Sequence, residues 1–206
     1  MNSRKVKYPI GQQDFKTLRM QGSLYVDKTN FIENLVEGDQ YYFLARPRRF
    51  GKSLFLSTLK YFFLGERDLF KGLYIDSIDW DWEKYPVLHM DFNVSRYNDK
   101  VTLGDVVNGM LEEWERCYDI KDISEDYGQR FRSIIAKAHQ KTGRQVVVLV
   151  DEYDKPLVSN LNMSDEFDYF RDKLASIYSN FKSSAEHIRM VFLTGVSRFS
   201  KLSVFF

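Results

Sequence analysis

Gly51, Lys52 and Ser53 follow one another directly, with Arg46, Pro47, Arg48, Arg49 and Phe50 before them and Leu54 after. Polyphosphate oxygens need several converging donors. A loop that runs from a strand into a helix N-terminus supplies them through backbone N–H groups, with the helix dipole adding favourable potential. The pattern G-x-x-x-x-G-K-[ST] encodes such a loop. Gly51 would let the backbone approach the phosphates closely. Lys52 would bridge the β and γ phosphates as a mobile charge, and the Ser53 hydroxyl would join a Mg²⁺ shell. Arg46 stands where the first glycine is expected, so the pattern is degenerate. Pro47 can set the turn out of the strand by fixing φ, with the loss of one donor. Arg48 and Arg49 add positive charge nearby. Chance alone can produce Gly-Lys-Ser, so the weight rests on the strand and helix patterns on either side.

A second constellation begins at residues 146–150, an unbroken Val and Leu run that leads into Asp151 and Glu152. Asp151 is placed to hold Mg²⁺ through a water, and Glu152 to polarise an attacking water as general base. A lone aspartate at a strand end is commonly no more than solvent-facing polarity; a phosphate loop upstream gives this one a partner. No Asn-Lys-x-Asp guanine-reading motif occurs, which favours ATP over GTP. Thr194 and Ser197 are candidates to sense a γ-phosphate at the tip of a further strand, and Arg198 to stabilise charge in cis or in trans. Ordinary turn polarity competes with each of these roles. Asp154 and Lys155 read as solvated charges. His89, His139 and His187 are dispersed and lack metal-ligand spacing, so no metal is assigned to them. Glu33, Glu66 and residues 76–82 read as surface or loop.

Four strands and several helices must position these groups. The strand candidates are Tyr41–Ala45, Val87–Asp91, 146–150 and 190–195. The third is apolar throughout, as in a strand buried on both faces of a parallel sheet. Helical periodicity covers Lys52–Phe63, Leu103–Tyr118, residues 124–142 with Gly143 as the stop, and residues 165–181. Residues 1–38 form a lead-in with an extended piece at 24–27 and a helix opened by Thr29 or Asn30; by fold analogy it passes near the nucleotide base. Strands alternating with helices predict an α/β doubly wound sheet.

The 206 residues suit one domain, and 44% hydrophobic residues can build its core. A net charge of +1 gives no support for a dedicated nucleic-acid binder, although Arg46, Arg48, Arg49 and Lys52 form a local basic group. Cys117 is the sole cysteine, which excludes an internal disulfide and fits a reducing compartment. No signal-peptide core or membrane-length apolar run is visible, so a cytoplasmic location is expected.

The segments Tyr25-Val26-Asp27-Lys28-Thr29, 42–54, 147–157 and 192–201 together resemble the bacterial AAA-ATPase-like family. The Arg-Pro opening of the loop belongs to that resemblance. It implies a three-layer P-loop NTPase fold with a mainly parallel sheet, ATP binding through Gly51, Lys52 and Ser53, and Asp151 with Glu152 as the acidic pair. It also implies a C-terminal nuclease-like domain in longer members, which opens contact with nucleic acid, and assembly into homo-oligomers. On this reading residues 1–206 are one domain, with 39–206 a nucleotide-binding core incomplete at the C-terminus, without its last strand and lid. The expected function is ATP binding, with Mg²⁺-dependent hydrolysis in the complete protein. The alternative is a nucleotide-gated interaction module with little turnover.

Overall fold

A computed structural model describes residues 7–93, 103–121, 123–156 and 164–196, the last group with side chains from residue 172 onward. Four strands form one sheet in the order β1-β4-β3-β2: β1 is Tyr41–Ala45, β2 Val87–Asp91, β3 Val146–Asp151 and β4 Ile188–Gly195. Every pairing is parallel, with Ala45 opposite Gly195 and Asp91 opposite Asp151. The carboxyl ends of all four strands therefore point one way, which is where open α/β sheets bind ligands. β3 is buried at every position. This is the physical reason for its unbroken apolar run.

Six helices flank the sheet among the described residues: α1 Phe15–Met20, α2 Asn30–Glu37, α3 Lys52–Phe63, α4 Leu103–Tyr118, α5 Tyr127–Thr142 and α6 Ser164–Ser183. Alternate residues of each strand face opposite layers. Val146, Val148, Val150 and Val191 pack against Leu111, Phe131, Ile135 and Phe181 of α4, α5 and α6. Val147, Leu149, Met190 and Phe192 pack against Leu56, Leu59 and Phe63 of α3, with Phe15 of α1 and Phe70 beyond. Each fully buried Leu or Phe contributes about 1.5–3 kcal/mol to this arrangement.

Local chemistry sets the boundaries. α5 begins three residues later than expected, because the Asp126 carboxylate caps it by accepting from the Gln129 N–H. Gly143 ends it in the left-handed conformation at φ 67°. Thr29 precedes α2, as expected, while residues 24–27 take no strand pairing. The lead-in contains one helix that periodicity does not announce, α1, too short to show an apolar stripe. One further expectation is corrected in part: residues 78–82 are loop, as read, but the stretch 76–82 is not all surface. Trp82 is no surface residue: it is 9% exposed, its ring 5.1 Å from Phe70 and 5.3 Å from Phe62. Trp80 stacks 5.3 Å from Phe62 as well. The stretch 76–82 is thus a lid on the α3 layer, and its aromatic content comes from that packing.

Candidate functional site

β1 delivers the chain to residues 46–53 at the carboxyl edge of the sheet. The Arg46 N–H donates to the Gly195 carbonyl at 3.2 Å, tying the start of the loop to the tip of β4. The backbone then turns through two left-handed residues, Arg49 at φ 68° and Gly51 at φ 75°. Among the described residues, and apart from its chain neighbours and the helix's own backbone, no atom lies within 4 Å of where a Cβ on Gly51 would sit, so the dihedral and not crowding calls for glycine. Gly51 caps α3, and among the described residues no side chain accepts from its first-turn N–H groups. Such a turn is a ready anion site. Leu54 anchors the helix start in the α3 layer, while Arg46, Pro47, Arg48, Arg49 and Phe50 are exposed.

Lys52 is only 5% exposed. Its ammonium group donates to the Arg46 carbonyl at 3.0 Å and the Pro47 carbonyl at 3.3 Å. Among the described residues it forms no ion pair. A buried cation held by two neutral carbonyls is incompletely compensated, and an anion supplied from outside would complete it.

β3 ends at Asp151, 4% exposed. The Thr194 hydroxyl donates to Asp151 Oδ1 and accepts from the Glu152 N–H at 3.2 Å. One hydroxyl thus joins both members of the acidic pair to the tip of β4. Glu152 sits at φ 50°, a conformation that costs a non-glycine residue about 1–3 kcal/mol and is found disproportionately at functional sites. Arg49 and Glu152 are two of the four described non-glycine residues with positive φ, and both line one cavity of about 590 Å³. Gly51, Lys52, Ser53 and Leu54 form a second part of its wall, and Ile10, Gly11, Gln12 and Gln13 a third.

The turn after Glu152 is buried at Tyr153 and Asp154 and half-buried at Lys155, contrary to the reading of Asp154 and Lys155 as solvated charges. Asp154 is 2% exposed and accepts from the Val196 N–H at 2.9 Å. Lys155 donates to the Asn93 carbonyl at 3.0 Å and to its side-chain oxygen at 2.7 Å, bridging to the end of β2. The Tyr153 ring lies edge-on to Phe43 at 5.2 Å. It also covers Gly195, where a Cβ would fall 2.5 Å from the ring. Charge in a sequence says nothing of such burial; the small residue at 195 is the only local hint.

Of the predicted site residues, Arg49, Gly51, Lys52, Ser53, Leu54 and Glu152 therefore meet around one cavity, Arg46, Pro47, Arg48 and Phe50 are not among its lining, and Asp151 and Thr194 meet beside Glu152. Ser197 and Arg198 lie outside the described residues. Sequence reasoning missed the clasp that holds the lead-in wall. Asp14 caps α1, accepting from the Thr17 N–H and hydroxyl at 2.7 Å each, and also accepts from Ser57 at 3.1 Å and Tyr61 at 3.0 Å. An Asp before an apolar pair at 15 and 18 is a cap signal, and it was the available clue. Asp27 makes a second polar tie just before α2, without capping the helix. It accepts from the Thr29 N–H and hydroxyl and from the Tyr74 N–H, fixing the 3₁₀ turn Tyr74–Ser77 to the lead-in. Outside the cavity, His139 and His187 meet Nδ1 to Nδ1 at 3.0 Å. Among the described residues no group of three or more His, Cys, Asp or Glu is arranged to hold a metal, and no helix is long and apolar enough to cross a membrane.

Helices on both faces of an all-parallel sheet are consistent with a P-loop-like α/β fold. Residues 9–205 match the family described as "Predicted AAA-ATPase", and the chain belongs to that family. Membership supports nucleotide binding at a coarse level. The chain is also 43% identical over 205 residues to a protein of Azotobacter chroococcum mcd 1 described as "Uncharacterized protein in vnfD 5'region". That match covers 98% of this chain and 39% of the relative, so the chain spans about two fifths of the relative's length. No solved structure matches.

Proposed function

We propose that the cavity beside residues 46–53 binds ATP and that the complete protein hydrolyses it. The observation that carries this reading is Lys52, a buried ammonium group without a carboxylate partner among the described residues, at the start of a helix whose first-turn N–H groups lack a side-chain cap. Loss of two modest carbonyl contacts would free Lys52 to meet the β and γ phosphates. The Gly51, Lys52 and Ser53 N–H groups would cradle the same oxygens. The cavity volume falls within the usual range for small-ligand sites, and the lead-in wall at 10–13 would meet the base.

The donor set also suits Mg²⁺. Ser53 and Asp151 would hold it, with phosphate and water completing a shell that needs few protein ligands. Bound there, the ion would neutralise charge on the phosphates. Glu152, on the cavity wall, would orient and deprotonate the attacking water. Thr194 would keep Asp151 and Glu152 in register, and Arg198 remains a candidate for charge stabilisation. In the whole protein, a nuclease-like domain, nucleic acid and further copies of the chain are proposed partners of this module.

ATP binding tests the reading directly. Replacing Lys52 by Ala removes charge-assisted contacts that contribute about 1.5–3 kcal/mol, and affinity should fall roughly ten- to a hundredfold. A Lys52→Ala protein that binds ATP as tightly as the parent would overturn the assignment. Phosphate release by the complete protein should be lost in Glu152→Gln with binding kept. Tight binding without release in the parent would instead favour a nucleotide-gated interaction module.

A further inference from the structure

The cavity has a wall that belongs neither to the sheet nor to the phosphate loop. Residues 10–13 come from the lead-in, far from Lys52 in sequence, yet they face the same space. Their position depends on what fixes the chain immediately after them. There the Asp14 carboxylate accepts four hydrogen bonds from two directions. Thr17 supplies two from within α1. Ser57 and Tyr61, one turn apart on α3, supply the others through Oδ2. The Ser57 hydroxyl in turn accepts from the Phe15 N–H at 2.9 Å, and Phe15 is fully buried. The helix that presents Lys52 and Ser53 thus grips the segment that forms the opposite side of the cavity.

We propose that Asp14 is a positioning residue for the nucleoside: its carboxylate clasps the 10–13 wall to α3, setting the distance between the phosphate end and the base end of the site. This deepens the ATP-binding reading and rests on it. The grip is polar, saturated and specific in direction. Tyr61 stays a phenol and a donor at all ordinary pH, its pKa pushed up to about 12 by burial and by its bond to Asp14. Partial burial pushes the Asp14 carboxyl up, but bonds from Thr17, Tyr61 and Ser57 outweigh it and hold the group below its ordinary value. Each bond to the ionised carboxylate is of the stronger, charge-assisted kind. The phosphate half of the site stands without the clasp, because β1, β4 and α3 build it. Base contacts and phosphate contacts therefore separate by variant.

The test compares ATP with inorganic triphosphate, which has no nucleoside, on the chain as it stands. Asp14→Ala should weaken ATP by about tenfold and leave triphosphate unchanged. Tyr61→Phe removes one strand of the clasp while sparing the α1 cap and should weaken ATP by about threefold, again with triphosphate unchanged. Asp14→Asn keeps the cap and can still bond both hydroxyls by donating, so it should recover most of the loss. ATP affinity untouched in Asp14→Ala and Tyr61→Phe would overturn the clasp. So would an equal fall for ATP and triphosphate in Tyr61→Phe, which would mark a general loss of structure. A parent that binds neither ligand would overturn the phosphate-site reading itself, and the clasp with it.

Discussion

Removal of a single hydroxyl from β4 should unsettle both acidic residues of the site. In Thr194→Val the side chain keeps nearly the same shape and loses both of its polar contacts. Asp151 is 4% exposed and loses a hydrogen bond to a buried carboxylate. Bonds of this kind contribute about 1.5–3 kcal/mol. The Glu152 N–H loses its acceptor at the same time, for about 1 kcal/mol more. The sum is about 3 kcal/mol, and for a chain of this size each kcal/mol shifts the melting temperature by about 2–4 °C. Thermal unfolding followed by circular dichroism should therefore place Thr194→Val about 6–12 °C below the parent. Thr194→Ser keeps the hydroxyl and loses one methyl group, a cost of about 1 kcal/mol. It should melt within about 4 °C of the parent. Equal melting of the Val and Ser variants, or a Val variant that melts with the parent, would refute the idea that this hydroxyl organises the acidic pair.

Gly195→Ala should destabilise the chain by about 1–3 kcal/mol in urea unfolding, the usual cost of overpacking, because its Cβ would fall 2.5 Å from the Tyr153 ring and 2.9 Å from Asp154. Glu115→Ala should cost about 3–5 kcal/mol by the same measurement, since it strands Arg130, which is 6% exposed and bonded to both Glu115 oxygens at 2.7 Å. Stability should also drop on acidification below pH 4. Asp14 and Asp27 are pushed up by partial burial but pulled further down by their hydrogen bonds, so both titrate below the ordinary aspartate value in the folded chain. The unfolded chain then binds protons first, and the stability these groups contribute is lost as pH falls through their folded pKa values. An Asp14→Asn, Asp27→Asn double variant should show a shallower decline of the urea midpoint between pH 5 and 3.

The two central strands, β3 and β4, were legible because strands buried on both faces must be apolar. β1 and β2 begin and end where their residue patterns place them, and β3 and β4 run slightly longer. The loop into α3 was legible because a left-handed turn before a helix selects glycine at 51. What local pattern could not show is what distant segments do to one another. Asp154 and Trp82 look like surface residues until β4 and α3 close over them. His139 and His187 look dispersed until α5 and the turn before β4 bring them together. Asp14 has a visible cap position, but its bonds to Ser57 and Tyr61 arise only when the lead-in docks on α3.

A crystal structure of the chain with Mg²⁺ and a non-hydrolysable ATP analogue tests the central claim most directly. The triphosphate should lie within hydrogen-bond distance of the Gly51, Lys52 and Ser53 N–H groups. Lys52 Nζ should have left the Arg46 and Pro47 carbonyls, where it now sits at 3.0 and 3.3 Å, to contact the phosphates. A nucleotide bound elsewhere, or one bound in the cavity with Lys52 still on those carbonyls, would contradict the account.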